Sequence, residues 1–436
     1  MSEALRIGLA GLGTVGAAVF RLLSDKADHV AARAGRPIRV VGVSARSRER
    51  DRGLDLSNVT WHDDPDTLAR DPDVDVFVEL IGGEGDPASS SVRGALTAGK
   101  PVVTANKALL AASGVELARL AESKGVTIGY EAAVAGGIPV IKTLREAVAG
   151  NRVSRVWGIL NGTCNYILTE MEEEGLSFEE CLAEAQRLGY AEADPTFDIE
   201  GHDSAHKLAL LAALAFGTEI DTESIHLEGI STITPEDLEA AEELGFRIKL
   251  LGVARRTESG VEQRVTPTMV PRMSAMAGIH GVLNAVAVDG DEVGEIMLVG
   301  PGAGSTATAS AVVGDLMDIA RGGVCPPIFG MPAKDLAPYK RARMRAHEGG
   351  YYIRLAVYDR PGAFAAIAQR MAEQSISLES IMQKDRRDPD NPGGKPRRVV
   401  LITHETSEAQ IRKALTAIMD DGQIEGRPQM IRIEMP

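Results

Sequence analysis

The sequence predicts an α/β protein with more than one domain, and three observations predict this class. Near the N-terminus, short apolar segments alternate with amphipathic ones, which is the pattern of a doubly wound parallel sheet. The middle of the chain mixes helical stretches with strands of alternating polarity, which indicates an α+β domain. Among these elements, a helix is predicted at 139–149 and a strand at 275–279. The last part has the order βαββαβ, which is typical of a ferredoxin-like domain. A chain of 436 residues is long enough for two or three such units.

The composition argues against several classes of function. The formal net charge of -15 disfavours binding to nucleic acid or to anionic membranes, and no apolar run is long enough to span a bilayer. The N-terminus enters a strand-like segment without a basic and apolar leader. The three cysteines, Cys164, Cys181 and Cys325, have no metal-ligand spacing. We therefore expect a cytoplasmic protein with reduced thiols.

The first predicted unit begins with a strand, a glycine-rich turn and a helix. The apolar strand Arg6–Ala10 leads into GLGTVG at Gly11–Gly16, and an amphipathic segment follows at Ala17–Leu23. This order is the context that a dinucleotide-binding fingerprint requires. Further strands of the same parallel sheet are predicted at 38–43, 74–80 and 101–104. Together they predict a Rossmann domain over residues 1–135.

The glycine-rich turn predicts how a dinucleotide binds. Glycines let the backbone approach a pyrophosphate at the N-terminus of a helix, where N–H groups and the helix dipole favour negative charge. The second strand should end in an acidic residue if a ribose 2′-hydroxyl is bound, but this chain has Arg46 there, and arginine matches a phosphate. NADP is therefore predicted over NAD; the alternative is that Arg46 is a surface charge and both dinucleotides are used. The predicted contacts in this loop are Gly11, Gly13, Thr14, Val15 and Gly16.

The segment Ala185–Lys207 concentrates charged residues between glycines and a proline. Asp203 and Lys207 are four residues apart, so they share one face of a helix. The sequence LALLAALAF that follows is apolar nearly all round, which predicts a buried helix. A buried lysine answered by carboxylates is a candidate acid/base group with a tunable pKa. The alternative is an ordinary salt bridge on a solvated surface.

This segment resembles the signature of the homoserine dehydrogenase family, and the resemblance extends over nearly the whole chain. It implies the reversible NAD(P)-dependent interconversion of L-homoserine and L-aspartate 4-semialdehyde in threonine, methionine and isoleucine biosynthesis. The matching positions are Ala185, Gly189, Tyr190, Ala191, Asp194, Pro195, Asp198, Ile199, Gly201, Asp203 and Lys207.

The resemblance also implies roles for these residues. Glu192 and Asp198 would bind the amino-acid end of homoserine, and the turn at Gly189 would contribute backbone groups. Lys207 would be the acid/base group for the hydroxyl, and Asp203 would hold and charge-tune it. Burial lowers the pKa of a lysine whereas a carboxylate raises it, and the sequence leaves open which effect is larger.

Three shorter motifs are expected to complete the pocket. Thr104-Ala-Asn-Lys107 resembles the family's TANK motif, which implies that Thr104 contacts the cofactor and that Lys107 lies near nicotinamide and substrate and supports or shares the proton role. Asn161-Gly-Thr-Cys-Asn165 resembles a pocket-lining segment, so Thr163 is expected to contact substrate; Cys164 stands where relatives usually have threonine. Gly302, in a glycine-rich turn before a predicted helix, is expected to contact the cofactor.

A further segment, Glu131–Ile138, resembles one that binds a monovalent cation, usually sodium, in this family. Carbonyl oxygens suit a hard cation, but they occur in every loop, so the residues alone would not have indicated this site. We expect the ion to have a structural role. The implied ligands are the carbonyl oxygens of Glu131, Val134, Gly136 and Ile138.

The last unit resembles the ACT regulatory domain, because its first strand ends in the turn Asp359-Arg-Pro-Gly362. Such domains bind a small amino acid, so threonine is a candidate inhibitor, and Asp359 and Gly362 are the predicted site. The alternative is a ferredoxin-like dimerisation module without a ligand. A homodimer or homotetramer is expected. The predicted boundaries are 136–304 for the catalytic domain, 305–321 for a helix returning to the Rossmann domain, 322–348 for a linker and 349–436 for the ACT domain.

Three other functions are alternatives to this interpretation. His202 and His206 are spaced as in a zinc-protease helix, but the sequence offers no third ligand. Aspartate-semialdehyde dehydrogenase chemistry would need Cys164 as a thiolate nucleophile. An inactive amino-acid sensor would not need Lys107 and Lys207 together with the acidic residues.

Overall fold

The structure is a computed structural model that describes residues 3–322, 326–342, 348–383 and 396–435. Cys325 lies outside the described residues. Within them, no helix has the length and the apolar character to cross a membrane.

The N-terminal part is a parallel sheet with helices on both faces, as the alternating pattern predicts. Its strands are β1 Leu5–Ala10, β2 Ile38–Ser44, β3 Thr60–His62, β4 Val76–Glu79, β5 Val102–Thr104 and β6 Ile128–Gly129. Its helices are α1 Thr14–Asp25, α2 Ala27–Ala34, α3 Pro65–Arg70, α4 Ala88–Thr97 and α5 Lys107–Ser123. The strand order β3-β2-β1-β4-β5-β6 reverses direction next to β1, at the glycine-rich turn. This is the switch point at which doubly wound sheets bind ligands.

The rest of the described chain forms a mixed sheet with helices packed against it. Its strands are β7 Val153–Ile159, β8 His226–Leu227, β9 Phe246–Thr257, β10 Gly260–Pro271, β11 Leu283–Gly290, β12 Gly294–Pro301, β13 Glu348–Val357, β14 Leu378–Gln383, β15 Arg397–Thr403, β16 Thr406–Ser407 and β17 Ile424–Ile433. Its helices are α6 Val140–Lys142, α7 Gly162–Glu174, α8 Phe178–Leu188, α9 Thr196–Ile199, α10 His202–Phe216, α11 Pro235–Glu243, α12 Ser305–Arg321, α13 Ala363–Glu373 and α14 Glu408–Asp420. The strand order is β12-β11-β7-β9-β10-β17-β13-β15-β14. Outside this order, β8 pairs with β10 and β16 pairs with β13.

Two sequence predictions for this part differ from the structure. The strand predicted at Ala275–Ile279 is wrong, because Met276–Gly278 is a 3-10 turn. Ser274 N donates to Pro271 O, which closes a turn at the end of β10. The side chain of Met276 is therefore buried against one face of the sheet, and its backbone does not continue as a strand. The continuous helix predicted over 139–149 is a short α6 followed by the π-helical turn Thr143–Ala147.

The segment predicted as a plain linker contributes to the hydrophobic core where it is described. Ile328 and Phe329 are 2% and 1% exposed, and Ala333 is fully buried. Tyr130 of the first sheet donates a hydrogen bond from its hydroxyl to Ile328 O over 2.9 Å. The prediction that this segment connects without forming a core is therefore wrong for residues 326–342. The reason is that its few apolar residues are spaced irregularly, so no periodic pattern indicates burial.

Helix α12 returns to the first sheet, as predicted. Its residues Ala309, Val312 and Leu316 are fully buried and pack with strand β1 and helix α1. This return brings the turn before α12 against the segment that follows the first sheet, where Gly137 N donates to Pro301 O over 3.0 Å.

The ferredoxin-like domain is joined to the middle domain by a shared sheet. Strand β17 pairs in parallel with β10, so that Thr268 is opposite Arg432 and Met269 is opposite Ile433. Buried ion pairs reinforce this junction: Arg354 Nε lies 2.6 Å from Asp237 Oδ1, and Arg155 Nη1 lies 3.0 Å from Glu434 Oε1.

Candidate active site

Asp203 brings together lysines from the first two domains. Lys207, on the same helix α10, is 8% exposed and donates from Nζ to Asp203 Oδ2 over 2.7 Å. Its Nζ also donates to Leu160 O over 2.7 Å. Lys107, at the start of α5 in the Rossmann domain, places Nζ 3.1 Å from Asp203 Oδ1. The predicted acid/base group therefore lies in the cleft between the domains, next to the second candidate.

The carboxylates of this cleft are in different electrostatic states. Burial alone would raise the pKa of Asp203, but Lys207 and Lys107 outweigh it and hold this pKa well below its usual range. Burial, with the neighbouring charge of Asp203, raises the pKa of Asp198. Asp203 is thus a permanent anion between two cations, whereas Asp198 is a carboxylate that gains from a positive partner.

Asn161 joins these two carboxylates. It is the N-cap of α7, where its Oδ1 accepts from Cys164 N over 2.8 Å. Its Nδ2 donates to Asp198 Oδ1 over 2.8 Å and to Asp203 Oδ2 over 2.9 Å. The sequence did not indicate this bridge, because the two carboxylates are 37 and 42 positions away from Asn161.

Cys164 is a buried donor and not a nucleophile. Its thiol is fully buried and donates to Asp198 O over 3.2 Å. Burial and the nearby negative charge of Asp198 raise the pKa of this thiol well above its usual range. A thiolate is therefore disfavoured here, which removes the basis for the aspartate-semialdehyde dehydrogenase alternative.

The residues at the ends of β4 and β5 form a connected network. Glu79 is fully buried and accepts from Thr104 Oγ1 over 2.6 Å and from Ile81 N over 2.7 Å. Thr104 Oγ1 in turn accepts from Asn106 N, and Asn106 caps α5 through Leu109 N. Thr104 thus orients the turn that presents Lys107. Sequence reasoning missed Glu79, although a carboxylate at the carboxyl end of a central strand is a signal that points to the ligand edge.

The glycine-rich turn has open space at Gly13, whereas the backbone is closely packed at Gly11 and Gly16. A Cβ added at Gly13 would meet nothing within 4 Å, whereas one at Gly16 would lie 1.9 Å from Gly11 O. Gly11 itself has φ +99°, and a Cβ there would lie 2.4 Å from Leu80 O. No side chain caps α1 at Gly13, so its first N–H groups face the open position. This arrangement fits a pyrophosphate.

The end of β2 presents arginines, as predicted. Arg46 is exposed. Arg52, which the sequence analysis did not name, donates to Leu12 O over 3.0 Å and to Ser47 O over 2.8 Å, so it connects the glycine-rich turn with the loop after β2. The guanidinium groups of Arg52 and Arg48 lie 6.0 and 5.9 Å from the centre of the Trp61 ring.

The predicted cation segment touches the predicted cofactor turn. A Cβ added at Gly136 would lie 2.6 Å from Gly302 O, and one at Gly302 would lie 2.0 Å from Asn284 Nδ2. The carboxylate of Glu131 accepts from the N–H groups of Ile141 and Lys142 over 2.8 and 2.9 Å. Both oxygens of this carboxylate therefore already accept hydrogen bonds within the fold, so only the main-chain carbonyl of Glu131 remains for an ion.

The other predicted substrate residues lie at or next to the turn that follows α8. Thr163 Oγ1 donates to Tyr190 O over 2.7 Å, which fixes the turn after α8. Gly189 ends α8 in the left-handed conformation with φ +78°. Glu192 is exposed, and among the described residues its carboxylate has no hydrogen bond or ion pair. The structure thus brings Asp198 into the network of Asp203 and leaves Glu192 outside it.

The histidines on α10 contact an aromatic ring. The ring centres of His202 and His206 lie 6.0 and 5.5 Å from the ring centre of Phe197. In the part of the chain that the structure describes, the group of three side chains close enough to share a metal ion lies elsewhere and consists of His226, Glu228 and Glu408.

A buried lysine beneath this site gives a testable prediction. Lys249 donates to Asn165 Oδ1 over 3.1 Å and to Ile279 O over 2.7 Å, and burial lowers its pKa from 10.5 to about 8. Between pH 8 and 10.5 this lysine is protonated in the unfolded chain and mostly neutral in the folded one. The free energy of unfolding therefore rises with pH, by about 3 kcal/mol in total. Lys249→Met should remove that rise. Denaturant unfolding at pH 8 to 10.5 measures it; the exposed control Lys124→Met should keep the wild-type slope.

The fold and the cleft define a class of protein. A dinucleotide-binding sheet joined to a second domain with a buried lysine–carboxylate pair is typical of a nicotinamide-dependent oxidoreductase. Residues 11–131 match the family model for the NAD binding domain of homoserine dehydrogenase, residues 139–317 match the model for homoserine dehydrogenase, and residues 351–421 match the ACT domain.

Individual relatives support the same family over the full length. A homoserine dehydrogenase of Pseudomonas aeruginosa is 45% identical over 435 residues, which are 99% of each chain. The crystal structure of a homoserine dehydrogenase from Thiobacillus denitrificans has a TM-score of 0.92 and 44% identity over 99% of each chain. A hyperthermophilic archaeal homoserine dehydrogenase in complex with NADPH has a TM-score of 0.60 and 27% identity, over 72% of this chain and 97% of that one. This chain belongs to the homoserine dehydrogenase family.

Proposed function

We propose that this oxidoreductase interconverts L-homoserine and L-aspartate 4-semialdehyde with NADP, and that Lys207 is its proton carrier. The observation that carries the proposal is the buried ammonium of Lys207 between Asp203 and Leu160 O, with Lys107 on the other oxygen of Asp203. In support, this side chain lies where Lys107 of the dinucleotide-binding domain meets Asp203 of the second domain. Such a position is required for an alcohol whose carbon faces the nicotinamide.

The proposed mechanism gives each side chain one task. A nicotinamide dinucleotide held at Gly13, Thr14 and Gly16 would supply hydride transfer to and from the alcohol carbon. As the neutral amine, Lys207 takes the hydroxyl proton during oxidation; as the ammonium, it donates a proton to the aldehyde oxygen during reduction. Asp203 keeps the amine in place and offsets the charge that forms on it. Lys107 supports this exchange from the cofactor side.

The proposed substrate contacts use the remaining carboxylates. Asp198 Oδ1 accepts from Asn161, which leaves Oδ2 to meet the ammonium of the amino acid. A cation there would relieve the burial that raises the pKa of Asp198. Glu192 is proposed as the second carboxylate, and Gly189 and Thr163 shape the turn beside it.

An assay of NADPH oxidation with L-aspartate 4-semialdehyde tests the proposed reaction. We expect the absorbance of NADPH to fall only when the aldehyde is present and product L-homoserine to form in equal amount. Oxidation without formation of homoserine would contradict the proposed substrate. Repeating the assay with NADH measures the cofactor preference.

The preference for NADP is proposed to depend on Arg46. This side chain is exposed at the end of β2, where a 2′-phosphate would lie. An arginine–phosphate hydrogen bond contributes about 1.5–3 kcal/mol, so Arg46→Ala should lower kcat/KM for NADPH by roughly 10- to 100-fold. The value for NADH should change little. Arg39→Ala, an exposed arginine on the same strand, is the control; equal losses with both dinucleotides would contradict the assignment.

A monovalent cation, sodium, is proposed to bind the carbonyl oxygens of Glu131, Val134, Gly136 and Ile138. In support, the carbonyls of Val134 and Gly136 accept no hydrogen bond from other described residues, and the turn at Ala135 and Gly136 has φ values of +53° and +37°. Thermal unfolding in sodium chloride and in choline chloride of equal ionic strength tests this. A higher Tm in sodium is expected, and equal values would exclude the site.

The ACT domain is proposed to bind threonine and to inhibit the enzyme in its biosynthetic pathway. Asp359 and Gly362 are exposed at the turn before α13, and Gly362 has φ +91°. We expect millimolar threonine to reduce activity in the wild type and not in Asp359→Ala. Activity unaffected by threonine would contradict this part of the proposal without affecting the reaction.

A homodimer or homotetramer in the cytoplasm is the proposed state. The edge strand β14 of the ACT domain leaves Ile381 45% exposed, and an exposed apolar edge strand is a surface that a second copy can cover.

A further inference from the structure

The segment Glu228–Ser231 lies against the last strand of the ACT domain. Arg432 of β17 is fully buried and donates to Glu228 Oε2 and to Glu408 Oε2, each over 2.7 Å. Burial alone would raise the pKa of Glu228, but His226 and Arg432 outweigh it and hold this pKa far below its usual range. Glu228 is therefore anchored as an anion to the C-terminal strand.

The same segment contacts the end of α9 on its other side. Ile230 N donates to Ile199 O over 2.9 Å, and Ser231 Oγ donates to Glu200 Oε1 over 2.8 Å. The backbone at Gly229 is so close that an added Cβ would lie 2.6 Å from Ile199 O. These contacts couple the position of the segment to that of α9.

Helix α9 carries Asp198, the residue before Ile199. Asn161 and Cys164 of α7 hold its Oδ1 and its main-chain oxygen over 2.8 and 3.2 Å. Asp198 thus contacts Asn161 and Cys164 directly, and the two residues that follow it, Ile199 and Glu200, contact the segment Glu228–Ser231.

We propose that Arg432 and the segment Glu228–Ser231 are positioning elements of the substrate site, so that the C-terminal strand of the chain sets the place of Asp198. The inference rests on the proposed function of Asp198 as the partner of the substrate ammonium. Arg432 and Glu228 touch no predicted reacting atom and act through α9. Their loss should therefore affect substrate binding and leave cofactor binding unchanged.

A metal ion at the same cluster is the alternative. Ligand atoms of His226, Glu228 and Glu408 lie within 4.8 Å of one another. Arg432 already donates charge-assisted hydrogen bonds to both carboxylates, and its guanidinium would repel a cation at this distance. The cluster is better described as an ion-pair anchor.

The first test is Gly229→Ala, which leaves Arg432 and its partners intact. The added methyl group would lie 2.6 Å from Ile199 O, so the backbone of the segment or of α9 has to shift. A misplacement of about 1 Å can cost about 10²-fold. We expect the KM for L-homoserine to rise roughly tenfold or more and the KM for NADP to stay unchanged. The control is Gly150→Ala, where an added Cβ would meet nothing within 4 Å. A folded Gly229→Ala enzyme with a wild-type KM for homoserine would overturn the inference.

A second set of variants acts on the anchor itself. Arg432→Lys keeps the charge but not the fork that reaches two carboxylates, so its KM for homoserine should rise less than that of Arg432→Met. Ser231→Ala removes only the contact with Glu200 and should raise this KM without lowering the Tm. Loss of Tm with unchanged KM in all three would assign these residues a structural role alone.

Asp198→Asn separates this inference from the proposed function. If it raises the KM for homoserine while Gly229→Ala and Ser231→Ala do not, the positioning role fails and the substrate site stands. If Asp198→Asn leaves this KM unchanged, the proposed role of Asp198 fails, and the positioning inference fails with it.

Discussion

Replacing Lys207 with methionine is expected to lower kcat by about 10²–10⁴-fold in both directions, which is the contribution of a positioned acid/base group. Methionine keeps the length of the buried side chain but cannot exchange a proton. The hydrogen bonds of 2.7 Å to Asp203 and Leu160 O would be lost as well. Steady-state kinetics with homoserine and with the semialdehyde measure the effect. The KM for NADP should remain close to that of the wild type.

Lys107→Met decides which lysine carries the proton. Lys107 approaches the same carboxylate from the cofactor domain at 3.1 Å and has a side chain that is 30% exposed. We expect a smaller loss of kcat from Lys107→Met than from Lys207→Met, together with a higher KM for substrate or cofactor. A Lys207→Met enzyme with near-normal kcat would refute the assignment, and a larger loss in Lys107→Met would transfer the role to that residue. Lys124→Met, at the exposed C-cap of α5, is the control.

Asp203→Asn is expected to cause the second largest loss, in activity and in stability together. The carboxylate accepts from Lys207 and Asn161 on Oδ2 and pairs with Lys107 on Oδ1. An amide has one acceptor oxygen, so one of the three donors would face an NH₂ group. Two ammonium groups would also remain without their shared anion. Breaking a buried ion pair on one side costs about 3–5 kcal/mol.

We therefore expect Asp203→Asn to lower the Tm and to reduce kcat by at least about 10²-fold, since the proton carrier is no longer held in place. Calorimetry and steady-state kinetics on the same preparation measure both effects. Asp194→Asn is the matched control, because Asp194 is exposed on the same segment and contacts Thr196 only locally. A stable Asp203→Asn enzyme with normal kcat would show that Lys207 needs no charged partner.

The parts of the fold with a regular pattern could be predicted, and those without one could not. The Rossmann sheet and α10 follow from apolar periodicity and glycine placement. Strand β12 was missed because its apolar residues run together between glycines and do not alternate. Helix α8 was also missed, although its capping box, Ser177 with Glu180, is a sequence signal that could have revealed it.

The site divides in a similar way. The pair Asp203 and Lys207 could be predicted because a spacing of four places both residues on one helical face. The roles of Leu160 O, Asn161 and Glu79 could not, since each depends on a carbonyl, cap or strand end from a distant segment. The structure also leaves Glu192 outside the network around Asp203, so its substrate role stays a prediction from the resemblance.

The sequence by itself determined the chemical groups of this protein: a glycine-rich turn for a pyrophosphate, a lysine and a carboxylate on one buried helix, and a family signature around them. Only the tertiary structure decided which groups meet. Lys107 reaches the carboxylate of Asp203 from another domain, and Arg432 anchors Glu228 from 204 positions away. The physical reason is that periodicity and turn chemistry act over a few neighbouring residues, whereas these contacts depend on how sheets and helices pack once their apolar faces are buried.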